Sequence, residues 1–400
     1  MAQHTAAPAP SLSLGQLVLY FLKLGTIGFG GPAALVGYMR KDLVDDGQHI
    51  DEQTYNLSIA LAQIMPGPLA AQTAIAIGYF QGGVLGATLV GLAFIVPSFL
   101  MVLALSWLYV TFGGLPWMQA LFYGIGAVVI AIIAMAAYRL ARGTNKRDPL
   151  LWGICSVMLV ATVWSQAELA ALFILAGLVV MCLRAWPGRR AGLLLSAAGA
   201  LVILGIWGME TFLLRADAMA GQESILWQIL LFFTKAGAFV FGSGLAIVPF
   251  LEQGVVHELR WLTDHQFLDA VAVAMITPGP VVITVAFIGY LVAGTAGAIV
   301  ASIGIFLPVY IFTIIPAPWF QRHRANPQLQ AFAAGATAAA SGAIAGAVVV
   351  LGQRAIFDFP TAAIGAIGLA LLWKFRLQEP LLVAAAGLVG LVVWPLFRGA

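Results

Sequence analysis

Two lysines, Lys23 and Lys235, sit inside apolar stretches of this chain, each about ten residues into a run long enough to enter a bilayer. A lysine at that depth is costly unless it faces a partner or a cavity, so the pair marks a place where negative charge is handled. Downstream of each lies a glycine-rich break: Gly28-Phe29-Gly30-Gly31-Pro32 after the first, Phe241-Gly242-Ser243-Gly244 after the second. A proline triplet follows each break, Pro66-Gly67-Pro68 and then Pro278-Gly279-Pro280. Each triplet must interrupt a helix, because proline lacks the N–H, clashes with the preceding turn and pushes the residue before it out of the α region. Helix can restart at Leu69 and Val281, with Pro68 and Pro280 near the first helical position. A helix that starts inside a membrane presents N–H groups without partners and a partial positive charge of about half a unit, which suits an anion. Gln63, Gln72, Thr73, Thr277 and Thr284 flank the triplets and could add neutral hydrogen bonds to oxyanion oxygens. The chemistry these residues can do is capture and passage of a small anion. Each also has a plainer role: kinks, close helix packing, a lysine stem reaching an interface, or a hydroxyl bonded to its own helix.

The pairing of these features reflects an internal duplication. A shift of 212 residues aligns Leu22 to Pro68 with Thr234 to Pro280, with 13 identities in 47 positions. Composition alone would give roughly four, and a one-residue change of register carries the match on through Pro97/Pro308, Pro116/Pro327, Gln119/Gln330, Gly124/Gly335 and Pro149/Pro360. Two apolar halves interrupted by Gly and Pro at matching places are the signature of a secondary transporter. The expected organisation is a first repeat over 14–184, a linker over 185–224 and a second repeat over 225–397.

The elements that position these residues must be membrane helices. The chain is 62% hydrophobic and 9% charged, with a mean hydropathy of +0.99, far from the soluble range. A ruler of about 20 apolar residues per crossing gives six spans in the first half: Leu14 to Val36, Leu57 to Tyr79, Val84 to Val110, Trp117 to Leu140, Leu150 to Trp164 and Leu169 to Leu183. The second half repeats them from Ile225 to Phe397, and a single unrepeated stretch, Ala191 to Leu214, lies between. The expected fold is therefore an all-α integral membrane protein of about 13 helices: two inverted six-helix repeats joined by one linker span, with broken helices near the midplane. With the N-terminus in the cytoplasm and the C-terminus in the periplasm, inner loops carry 12 cations and outer loops 5, as the positive-inside rule requires. That count places Arg40 outside and Arg260 inside.

Other classes fare poorly. The net charge of +3 is dispersed over short loops, which argues against a nucleic-acid partner. Cys155 and Cys182 lie in apolar segments away from any ligand spacing. No removable signal peptide is evident in Met1 to Leu12. The sequence shows no metal-ligand cluster, catalytic triad or phosphate-binding loop, so no metal, cofactor or enzymatic activity is expected. Asp269 and Glu210 are the acids nearest to span interiors.

The segments Phe21 to Gly25 with Gly28 to Pro32, then Gln63 to Pro68, and their second-half counterparts resemble the chromate ion transporter family. The resemblance covers both repeats. It implies a two-repeat protein of the bacterial inner membrane that expels chromate and confers chromate resistance, with sulfate, of the same shape and charge, as a natural competitor. It also implies that the lipid bilayer and a small oxyanion are the partners. The second half departs from the pattern at Ser243-Gly244 and Met275, in place of Gly31-Pro32 and Gln63, so unequal contributions from the halves are expected. The residues themselves specify only a small anion, and leave open an oxyanion importer or an anion channel.

Overall fold

In a computed structural model of the chain, the described residues are 12–29, 31–112, 115–165, 170–185, 224–239, 244–323, 326–375, 377 and 379–398. The linker span expected over Ala191 to Leu214 lies outside them. The regular elements among them are all helical. The first half runs α1 (Leu14–Ile27), α2 (Gly31–Arg40), α3 (Glu52–Ile64), α4 (Leu69–Phe112), α5 (Pro116–Asn145), α6 (Pro149–Ser165) and α7 (Ala170–Arg184). The second half runs α8 (Ile225–Phe239), α9 (Val248–Glu252), α10 (Asp264–Ile276), α11 (Thr284–Ile314), α12 (Ala317–His323), α13 (Pro327–Ala355), α14 (Phe359–Phe375) and α15 (Glu379–Arg398). Five stretches of the described residues are long and apolar enough to cross a membrane: 69–112, 116–145, 281–322, 327–355 and 379–396. The chain is thus an all-α membrane protein.

The expected first span, Leu14 to Val36, is not one helix. A capping box between Ser13 and Gln16 starts α1, and the chain breaks after Ile27. Gly31 then adopts φ +73°, a conformation that needs glycine. The Tyr20 hydroxyl donates to Asp42 at 3.1 Å, although a continuous helix would hold those residues about 33 Å apart. The chain therefore folds back on itself, and α1 with α2 forms a hairpin whose tip is the glycine-rich break.

The second span, Leu57 to Tyr79, also divides. Asp51 caps α3, and Met65 leaves the helix in an extended conformation ahead of Pro66. Leu57, Leu61 and Ile64 share one apolar cluster with Ala76, Tyr79 and Phe80. A single broken span would separate Leu57 from Phe80 by roughly 35 Å, so the proline triplet is likewise a hairpin tip. Hydropathy cannot separate these cases, because two half-length helices joined by a turn have the apolar length of one crossing helix.

Long helix α4 hides a further reversal. Gly82 (φ −142°, ψ 22°) and Gly83 (φ 61°, ψ −151°) turn the chain, and Gly78 and Gly86 approach so closely that a Cβ on either would strike the other's carbonyl. Ala293 (φ −144°, ψ 29°) and Gly294 (φ 61°, ψ −152°) reproduce this turn inside α11, with Gly289 against Gly297. The duplication therefore holds at the level of backbone angles. Positive φ recurs at Gln48 and Arg260, which stand 212 residues apart. The second arms, 84–112 and 295–314, run antiparallel: Thr88, near the start of one, meets Tyr310, near the end of the other, hydroxyl to hydroxyl at 2.6 Å.

The outer ends of the first hairpins of the two halves are tied differently. In the first, Arg40 pairs with Glu52 at 2.8 Å. Their repeat equivalents are two acids, Glu252 and Asp264, and Arg354 at the end of α13 bridges both. His257 Nε2 lies 3.0 Å from Glu252. Ligand atoms of Glu252, His257 and Asp264 fall within 4.8 Å of one another, but the guanidinium occupies the place a cation would take.

Candidate functional site

The hairpin tips of the two halves touch. The Gly279 N–H donates to the Gly28 carbonyl at 2.9 Å, so the second proline triplet docks on the first glycine-rich break. Gly279 has φ +96°, and a Cβ on it would collide with Ser98 Oγ. Ser98 is fully buried and donates to the Gly25 carbonyl at 3.4 Å. Gly25 in turn lies against Phe94. Phe94 and Ser98 stand midway along the 84–112 arm, so the tips meet beside the middle of that arm.

The residues expected at this place are distributed as follows. Gly28, Gly67, Pro68, Thr277, Pro278, Gly279 and Pro280 are buried there, with Pro66 and Pro32 half-buried. Gly244 is buried against Val282. Gly30, Gly242 and Ser243 lie outside the described residues. Gln72 folds over Gly67, and its Nε2 donates to the Pro66 carbonyl at 2.7 Å. Its buried Oε1 has no hydrogen-bond partner. Thr73 donates to Leu69, Thr277 to Val273 and Ala274, and Thr284 to Val281, all carbonyls of their own segments. Gln63 is exposed. Lys23 lies on the exposed face of α1, opposite buried Phe21 and Leu24, while the Lys235 ammonium stands 5.9 Å from the Phe250 ring centroid.

In this conformation, then, the polar side chains at the tips serve the protein itself. The N–H groups that open α4 ahead of Gln72, and those of Val281 and Val282 after Pro280, have no acceptor within their own helix. Two acids lie near this region: Glu379, which has no plain sequence signal, and Asp269, which the sequence puts near a span interior. Glu379 opens α15, and its carboxylate oxygens lie 3.7 and 3.8 Å from where a Cβ on Gly31 would stand. Its signal, a Glu-Pro pair after a short span, reads as a loop. The Asp269 carboxylate accepts from the Tyr109 hydroxyl at 2.7 Å.

Residues 15–204 and 227–391 match the chromate transporter family. The chain belongs to the chromate transporter family. It is 55% identical, over 99% of its length and 96% of the relative's, to the chromate transport protein of Cupriavidus metallidurans. Identity is 51% with the probable chromate transport protein of Synechococcus elongatus, over 96% of this chain and 97% of that one. The chromate transport protein of Pseudomonas aeruginosa is 34% identical over 98% of this chain and 95% of its own. No solved structure matches the chain. In this chain the tip contact between Gly28 and Gly279 joins the two matched regions.

Proposed function

We propose that this protein is a secondary transporter that exports chromate across the bacterial inner membrane, driven by the membrane potential, and so gives chromate resistance. The observation that carries the reading is the hydrogen bond between two unwound hairpin tips, beside the middle of an arm long enough to cross the membrane. Irregular backbone at that depth is tolerated where it is buried in protein or lines a cavity, and helix starts gathered there favour an anion. Export of a dianion from an inside-negative cell runs downhill in voltage by roughly 4 to 5 kcal/mol per 100 mV. No ATP is needed for that. Chromate accumulation in inverted membrane vesicles is the experiment that tests it.

The proposed architecture is two inverted repeats, supported by the antiparallel crossing of the long arms at Thr88 and Tyr310. Because each half begins with hairpins that return to the side they came from, Arg40 and Lys41 share the N-terminal side and Arg260 takes the opposite one. Relative to the all-spanning reading of the sequence, this transfers two cations inward and one outward. The loop count moves from 12 against 5 to 13 against 4, a stronger positive-inside bias. Single cysteines at Arg40 and Lys146 should therefore be labelled from the cytoplasmic side, and one at Arg260 from the other. Labelling of the Arg40 and Arg260 positions from a common side would remove the inversion.

Lys23 and Lys235 serve as cations that raise the local anion concentration on the approach to the tips, together with Gly30, Gly31, Gly242 and Ser243 as backbone donors. Lys23→Gln removes the charge and keeps most of the length. It should raise the apparent KM for chromate several-fold without lowering protein level. An unchanged KM in vesicles of fixed potential would show that this lysine only reaches an interface.

A further inference from the structure

A cavity of about 330 Å³ opens at the ends of α4 and α10, on the side reached by the far end of the 84–112 arm, and it is lined by Tyr109, Tyr123, His265 and Asp269 among largely apolar neighbours. The Asp269 Oδ2 atom accepts from the Tyr109 hydroxyl at 2.7 Å, and Oδ1 has no hydrogen-bond partner among the described residues. His265 stands one turn earlier on the same helix and is exposed, whereas Asp269 is half-buried. From α5, Tyr123 faces the cavity and donates to Asp358 at 2.7 Å. No lysine or arginine is among the described lining residues. The repeat equivalent of Asp269 is Leu57, so packing of the hairpin does not require an acid here. Helix α10 continues from Asp269 to Thr277 and the docked triplet, about 12 Å away along its axis.

The geometry points to a proton-binding site at Asp269, loaded from the cavity, whose occupancy is coupled to that of the anion at the tips. The inference rests on the tips being the anion site. Loading adds one proton from solvent to Oδ1 and takes the side chain from minus one to neutral. Tyr109 keeps its own proton throughout. An ionised Asp269 repels a dianion at the end of its own helix through a poorly screening interior, and a neutral one does not. By linkage, the anion then favours the proton as much as the proton favours the anion.

The test is the pH dependence of sulfate and chromate affinity for the purified full-length protein, measured by direct binding. Sulfate stays dianionic throughout the range, so its profile reports the protein alone. Wild-type sulfate affinity should fall about tenfold per pH unit above a midpoint, and Asp269→Asn should bind sulfate with a flat profile at the tight plateau. Equal slopes in the two proteins, or a flat wild-type profile, overturn the proton site. If Asp269→Asn does not insert, Tyr109→Phe must displace the midpoint, and an unmoved midpoint overturns it as well. Failure of wild type to bind either anion at any pH would instead sink the functional reading.

Discussion

Gly279→Ala should abolish transport while leaving the protein inserted in the membrane. Three effects act at one atom. The residue holds φ +96°, where a side chain costs about 1 to 2 kcal/mol. The new methyl would also occupy the place of Ser98 Oγ. To relieve either, the triplet must withdraw, and the hydrogen bond to Gly28 is lost. With the tips apart, the donors no longer face one another, so chromate flux should fall at least tenfold at unchanged protein level. Ser98→Ala added to Gly279→Ala removes the collision but not the strain, and should restore part of the flux. Near-normal flux in the single variant would show that the tip contact is incidental.

Arg354→Ala should be the most destabilising of the charge changes. Glu252 is 8% exposed and would be left facing Asp264 without the guanidinium, with the His257 ring beside it. Breaking a buried pair in this way costs about 3 to 5 kcal/mol. Asp264 is 42% exposed and Arg354 24%, so water screens part of this, and about 2 kcal/mol is the expected loss. The first half suggests the repair. Glu252→Arg in the Arg354→Ala background recreates the Arg40–Glu52 arrangement, with the introduced guanidinium facing Asp264. This double variant should recover most of the thermal stability in detergent. A single variant as stable as wild type, or a double variant no better than the single, would contradict the role given to this network.

Much of the site was legible because proline and glycine act locally. Pro66-Gly67-Pro68 and Pro278-Gly279-Pro280 end α3 and α10 where the residue chemistry says they must, and the glycine-rich break of the first half ends α1. The boundary drawn between Tyr79 and Val84 falls on the Gly82-Gly83 turn. What escaped was direction. Leu14 to Val36 has the apolar length of a crossing helix, and nothing in that length distinguishes a crossing from a return. The contacts that decide it, Tyr20 with Asp42 and Leu57 with Phe80's cluster, join residues more than a bilayer's length apart along a straight helix. Side-chain roles were harder still. Thr277 and Thr284 looked free to bind an oxyanion, but in a membrane a hydroxyl finds its own helix's carbonyl first.

The central claim, chromate export through a site at the hairpin tips driven by voltage, is tested most directly by uptake of radiolabelled chromate into inverted membrane vesicles with the potential clamped by ionophore. The account predicts accumulation when the lumen is positive, loss of accumulation when the potential is collapsed, inhibition by sulfate, and none of these in vesicles carrying Gly279→Ala. Chromate uptake that ignores the potential, or that appears only in right-side-out vesicles, would contradict it.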